Sequence, residues 1–235
     1  MIEQAGPKSI GIIMDGNRRW AKAKGLSSAR GHQAGEEVLL RLLDDYRPLR
    51  DAWGAAHYIF YTFSTENRNR AEAEVADLLG LFEHAFSKIE ERLPQLLSDG
   101  VRMRFLGERG RFSGKLQEMM NELEAKTAGG AEGTIALAVS YGGRPDILQA
   151  ANGLMAGGAK EITEVALTDA LWTRGIPEPD LIIRTGGEKR LSNFLLWESA
   201  YAELAFTDTL WPDFSRKELE RIFADFASRE RRHGR

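Results

Sequence analysis

The chain has 235 residues, 43% of them apolar and 29% charged, with a formal net charge of −3 and no cysteine. That is enough apolar surface for one large α/β domain and too much for wholesale disorder. It excludes disulfides, thiolate nucleophiles and cysteine-ligated zinc, and it supplies no general attraction for nucleic acid or anionic membranes.

The opening MIEQAGPKS lacks the basic-then-apolar order of a secretory signal, and no apolar run approaches the roughly 18 residues of a membrane span. A cytoplasmic protein without nucleic-acid partners is expected. Ile10 to Met14 then reads as a buried strand that stops at Asp15-Gly16-Asn17, followed by Arg18 and Arg19. That stretch alone has two readings: a turn with solvated charges, or the ligand-binding end of a strand in an open α/β sheet.

Trp20 to Lys24 reads as a short helix ending at Gly25, and His32 to Leu49 as a longer one with Val38, Leu39, Leu42, Leu43 and Tyr46 at helical spacing. Asp44-Asp45 lacks the third aspartate of an aspartate-rich prenyl synthase motif, because Pro48 stands there, so the pair reads as solvated helix charge. His57 to Phe63 is a second buried strand, leading to the polar run Ser64 to Arg70. A long helix is predicted from Ala71 to Ser98, kinked by Pro94. Its apolar stripe, with Phe82 and Phe86, suits either core packing or the wall of an apolar tunnel.

Val101 to Leu106 and Thr134 to Ser140 are further strands, with a helix over Phe112 to Leu123 between them. Tyr141-Gly142-Gly143-Arg144 closes the latter strand, and Pro145 suits the first turn of a helix from Asp146 to Ala156. Gly157 to Ala166 reads as a surface connection with a helical turn, and Asp180 to Arg184 as a fifth strand. A short helix over Phe194 to Trp197, a last strand over Ala202 to Phe206, a helix from Ser215 to Arg229 and a basic tail complete the chain. Strands alternating with helices, without a long linker, predict a single α/β domain: a central, mostly parallel sheet covered by helices.

In such a sheet the strands' carboxyl ends share one edge. Four of them carry polar loops, which gather Arg18, Arg19, Arg68, Arg70, Arg144, Arg184 and Arg190 around very few carboxylates, chiefly Asp15 and Glu66. These arginines would repel one another without an anion, and their planar forks match phosphate oxygens. A phosphate-rich ligand follows. No GxxxxGK[ST] loop, GxGxxG after a strand, HExxH pair or GxSxG elbow is present. One carboxylate among cations suits Mg²⁺ shared with substrate phosphates.

Five ordered blocks then carry a resemblance: MDGNRRWAKAKG (14–25), GHQAG (31–35), FSTENRNRAEAEV (63–75), YGGRPDI (141–147) and DLIIRTGGEKRLSNFLLWESAYAELAFTDTLWPDF (180–214). Together the chain resembles the cis-prenyltransferases, the family of undecaprenyl diphosphate synthase, from about Ile10 to Gly234. The resemblance implies a homodimer with an apolar tunnel beneath the site. It also implies Mg²⁺-dependent condensation of isopentenyl diphosphate onto an allylic diphosphate such as farnesyl diphosphate, with peripheral membrane contact through the lipid product.

By matching position, Asp15 resembles the catalytic, Mg²⁺-holding aspartate, and Gly16, Asn17, Arg18, Arg19 and Trp20 an allylic-substrate cradle. His32 matches a diphosphate contact, Ser64, Thr65 and Glu66 a substrate-binding loop, and Arg70 a further diphosphate-side arginine. Asn67 matches a residue that helps remove the proton after condensation, although an amide is a poor base. Arg184, Arg190, Leu191 and Ser192 resemble the isopentenyl diphosphate pocket, Glu203 a second Mg²⁺-associated carboxylate, and Arg232 and Gly234 a C-terminal Arg-x-Gly that reaches the site. The chain departs from the family pattern at Ser9, Ser28, Arg68, Ala71 and Ser140. Long-chain synthesis, a short- or medium-chain product and a non-catalytic accessory subunit are the three functions the resemblance admits. Bulk at Thr62, Phe82, Phe86 and Leu137 is expected to separate the first two.

Overall fold

The computed structural model describes residues 6–66 and 72–229, with residues 72–78 described by backbone alone. The apolar runs form six strands: β1 (Ser9–Ile13), β2 (His57–Ser64), β3 (Val101–Leu106), β4 (Gly133–Tyr141), β5 (Leu181–Arg184) and β6 (Glu203–Phe206). They make one sheet in the order β3-β4-β2-β1-β5-β6, and every neighbouring pair is parallel. Parallel pairing needs crossovers that cover both faces, which is why β1, β4 and β5 are buried along their whole length.

Nine helices are found among the described residues: α1 (Asn17–Ala23), α2 (Ser28–Asp44), α3 (Tyr46–Trp53), α4 (Glu72–Glu91), α5 (Leu93–Ser98), α6 (Gly114–Thr127), α7 (Gly143–Ala156), α8 (Glu164–Ala170) and α9 (Arg216–Ser228). Ser27, Ser113, Thr163 and Ser215 cap α2, α6, α8 and α9 by accepting a backbone N–H of the first turn. Strand alternation divides the core. Ile10, Ile12, Phe60, Leu137 and Ile183 face a large cluster that includes side chains of α2, α4, α6 and α9. Ile13, Ile59, Ala138 and Ile182 face a smaller one filled by Phe194, Leu195 and Tyr141.

Three expectations differ from what is observed. The helix expected to Leu49 breaks at Asp45, which ends α2 and begins α3; Asp44 and Asp45 pair with Arg92 at 2.7 Å and Arg216 at 3.2 Å. The long helix expected to Ser98 breaks at Arg92, with Pro94 in the first turn of α5, where its missing N–H costs no helical hydrogen bond. Phe194 to Trp197 is a run of turns rather than a helix, with Ser192, Asn193 and Leu195 at positive φ. A left-handed residue ends helical hydrogen bonding whatever its propensity.

One packing detail positions the site. α1 lies close against α2 because Gly31 and Gly35 lack side chains: a Cβ at either would collide with the carbonyl or the side-chain oxygen of Asn17. The GHQAG block is therefore a contact surface, and it holds α1 at the carboxyl edge of the sheet.

Candidate active site

β1 lies between β2 and β5, strands from opposite halves of the chain, and beyond their carboxyl ends opens a cavity of about 1260 Å³. Arg18, Arg19, Lys22, Arg184 and Arg190 line it against two carboxylates, Asp15 and Glu66. The excess of positive charge expected at this edge is thus present in space.

Asp15 is the centre of the arrangement. Its Oδ2 accepts from Arg184 Nη2 at 2.8 Å, and its Oδ1 stands 3.2 Å from Arg19 Nη2. Its backbone is pinned as firmly: the Asp15 carbonyl accepts from Thr185 Oγ1 at 2.7 Å and from the Trp211 N–H at 3.0 Å. Arg184 is only 5% exposed along its side chain, whereas Asp15 is 29% exposed and faces the cavity. Arg184 Nη1 donates to Ser192 Oγ and to the Arg190 carbonyl, both at 2.6 Å, so one buried guanidinium joins the β1 and β5 loops. Arg19 Nη1 reaches the Gly186 carbonyl at 2.6 Å, tying α1 to the same loop.

The β2 wall carries Glu66. Burial pushes its carboxyl up, but hydrogen bonds from Asn193, its own backbone, Thr65 and Ser64 outweigh that and hold it below the usual carboxylate range. A register irregularity between Tyr61 and Ser64 interrupts the β2–β4 ladder, and Thr62 within it lines the cavity. Tyr61 stacks on Phe194 at 4.6 Å, and its hydroxyl donates to the Ser192 carbonyl at 3.2 Å. Burial first, and then the nearby Glu66, push the phenol well above its ordinary range, so it remains a donor.

Gly16, Asn17, Arg18, Arg19, His32, Ser64, Glu66, Arg184, Arg190 and Ser192 all line the cavity. Trp20 does not; its indole N–H donates to Asp213 at 2.7 Å and Lys24 lies over its ring. Thr65 and Leu191 stand behind the lining, the first donating to Glu66 at 3.0 Å and the second packed on the smaller core cluster. Arg144 is also outside the lining. Glu203 is at the other end of the sheet: it pairs in register with Leu181, level with Ile10, roughly 16 Å from Asp15 along the strands. There it accepts from Arg229 at 2.8 Å. Asn67, Arg68, Arg70, Ala71, Arg232 and Gly234 lie outside the described residues.

Of the four positions expected along an apolar tunnel, only Thr62 lines this cavity. Phe82, Phe86 and Leu137 are buried in the larger core, where Phe82 packs edge-on against Phe63 and Phe112. Lys22, Tyr61, Thr185 and Asn193 also contribute, although the sequence does not single them out. Only Asn193 left a local signal, an asparagine beside a serine in a strand-end loop, a residue type that tolerates φ > 0.

Among the described residues no group of three or more metal-ligating side chains occurs. Asp15 is a single, partly exposed carboxylate amid cations. That donor set fits Mg²⁺, which keeps several waters and shares its coordination with substrate phosphates.

The family model described as "Putative undecaprenyl diphosphate synthase" matches residues 13–234. The chain belongs to this family. It is 48% identical over 229 residues to an isoprenyl transferase of Neisseria meningitidis, covering 97% of this chain and 90% of that one. It is 40% identical over 240 residues to a (2E,6E)-farnesyl-diphosphate-specific ditrans,polycis-undecaprenyl-diphosphate synthase of Shewanella oneidensis, covering 100% and 85%. Its fold matches that of lavandulyl diphosphate synthase from Lavandula x intermedia, solved with dimethylallyl diphosphate, at a TM-score of 0.89 and 31% identity over 98% and 99% of the two chains. Like its relatives in the undecaprenyl diphosphate synthase family, the chain is a prenyl transferase.

Proposed function

We propose that residues 1–235 act as one Mg²⁺-dependent cis-prenyltransferase domain that condenses isopentenyl diphosphate repeatedly onto farnesyl diphosphate, giving undecaprenyl diphosphate for lipid-carrier synthesis. The observation that carries this reading is Asp15, a half-open carboxylate between Arg19 and the buried Arg184 in a cavity rich in positive charge. Such a site is built for an anion that brings several oxygens. Arg18, Arg19 and the neighbouring backbone receive the allylic diphosphate, stabilising the negative charge that grows as its C–O bond breaks. Arg184, Arg190 and Ser192 hold isopentenyl diphosphate so that its weakly nucleophilic double bond meets the electron-poor carbon in the right orientation. Asp15 would hold Mg²⁺, which would supply further charge neutralisation. Asn67 is the proposed assistant in proton removal, and Arg70, Arg232 and Gly234 are proposed additional diphosphate contacts. By its match to the family, Glu203 is proposed as a second Mg²⁺-associated carboxylate, although within this chain it pairs with Arg229.

No described helix is long and apolar enough to cross a membrane. A cytoplasmic homodimer that meets the membrane through its lipid product completes the proposal. A second reading, a short-chain product, is favoured by the burial of Phe82, Phe86 and Leu137 away from the cavity and by the likeness to lavandulyl diphosphate synthase. Incubation with labelled isopentenyl diphosphate, farnesyl diphosphate and Mg²⁺, followed by product sizing, separates the two. A ladder ending in a long polyprenyl diphosphate supports the first, and a product arrested after one addition supports the second. No turnover with any allylic starter contradicts both.

A further inference from the structure

The loop after β5 concentrates the unusual backbone of the described chain. Ser192, Asn193 and Leu195 hold φ at 50°, 64° and 44°, and of the described non-glycine residues with positive φ only Ser140 lies elsewhere. Conformations like these persist only where the surroundings over-determine them, and they collect at working sites.

Asn193 is what determines this loop. Its carbonyl accepts from the Gly143 N–H at 2.6 Å, and its Oδ1 accepts from the Arg144 N–H at 2.9 Å. These are the first two amides of α7, which Gly142 leaves without a side-chain cap, so the cap arrives from a different loop. The other half of the same amide faces the cavity wall: Nδ2 donates to Glu66 Oε1 at 2.9 Å, while Thr65 donates to Glu66 Oε2 at 3.0 Å. Gly142 leaves the space this requires, since a Cβ there would stand 2.6 Å from Asn193 Nδ2 and 2.8 Å from Thr65 Oγ1. One residue earlier, Ser192 Oγ accepts from Arg184, whose other nitrogen reaches Asp15. Glu66, Asn193, Ser192, Arg184 and Asp15 thus form one connected path across the cavity.

We propose that Asn193 is a positioning residue for the condensation: it locks Glu66 on the β2 wall to the Arg184–Ser192 pocket, so that the two sides of the cavity stand in fixed register before the substrates meet. This rests on the reading of the cavity as the prenyl-transfer site. Asparagine suits the task because it tolerates left-handed backbone and is donor and acceptor at once. Aspartate shares the backbone tolerance and the capping oxygen, but it cannot donate to Glu66.

That difference supplies the test: kcat and KM for isopentenyl diphosphate, with melting temperatures, in wild type, Asn193→Asp, Glu66→Gln and the double variant. Asn193→Asp alone sets two carboxylates against each other and is expected to lower kcat/KM by about tenfold, the size of a direct side-chain coupling. The loss should shrink as pH falls and the pair takes up a shared proton. In the Glu66→Gln background the glutamine amide donates to the introduced carboxylate and re-forms the bond in reverse, so the same substitution should cost less than about threefold. An equal loss in both backgrounds, or a loss independent of pH, would overturn the proposal. If wild type turns over no isoprenoid diphosphates, the proposed function fails, and the coupling is then read in the melting temperatures. There Asn193→Asp must destabilise the wild-type background more than the Glu66→Gln background, and equal shifts would overturn it.

Discussion

Acidic side chains at the carboxyl edge of this sheet live in two contrasting surroundings. Asp15 is partly open, faces a cavity and is matched by two guanidinium groups. Asp146 in α7 and Glu198 are buried, 1% and 5% exposed, and neither forms an ion pair among the described residues. Neutral donors serve them instead: the Trp172 N–H at 2.9 Å and Gln149 at 3.0 Å for Asp146, and the Thr173 hydroxyl at 2.5 Å for Glu198. Burial pushes both carboxyls above their ordinary range. The carboxylate proposed to meet a metal and a diphosphate is accessible and flanked by cations. Asp146 and Glu198, which brace loops, are closed away from solvent and pushed towards their neutral forms.

Substitutions break this contrast with effects of very different size. Asp15→Ala should lower kcat by about a thousandfold or more, the scale of losing transition-state charge stabilisation, while circular dichroism stays that of wild type. Arg184→Ala removes charge-assisted bonds to Asp15 and Ser192 and should raise KM for isopentenyl diphosphate by roughly tenfold or more. A change confined to the allylic substrate would misplace the pocket.

Glu198→Gln should act on stability alone. Folded Glu198 keeps its proton to higher pH than the unfolded chain does, so its contribution is complete below the unfolded pKa and is lost as pH rises through the raised folded value. Glutamine still accepts from Thr173 and carries no such liability. Thermal melting should show little difference near pH 4 and an advantage on the order of 1 kcal/mol by pH 8. A gap that widened towards acid would reverse the assignment. Tyr61→Phe keeps the ring stack on Phe194 and loses the hydroxyl's bonds to the Ser192 and Tyr141 carbonyls; kcat/KM should fall about two- to fivefold.

The sheet was legible because buried parallel strands are continuous apolar runs with polar punctuation at one end, and Asp15 stood at the first such boundary. Helix interruptions were less so: Asp45 breaks α2 from α3 without disturbing the apolar spacing, and Pro94 predicted a kink where the helix in fact restarts. The turns at 194–197 look helical in sequence because left-handed backbone leaves no periodic trace. Sequence proximity also says nothing of strand register. Glu203 lies in the same motif block as Arg184, yet register puts it at the opposite end of the sheet. Tyr61 read as one more apolar strand residue, although its hydroxyl reaches the β5 loop.

We propose that Asp15 works as a charged group on a bound diphosphate rather than as a brace for Arg184. Asp15→Asn tests it most directly, because the amide oxygen still accepts from Arg184 while the charge is gone. With labelled isopentenyl diphosphate, farnesyl diphosphate and Mg²⁺, wild type should extend the allylic chain, and the asparagine variant should form product at least about a hundredfold more slowly while its circular dichroism stays that of wild type. Extension by Asp15→Asn at close to the wild-type rate would contradict a charge role for Asp15.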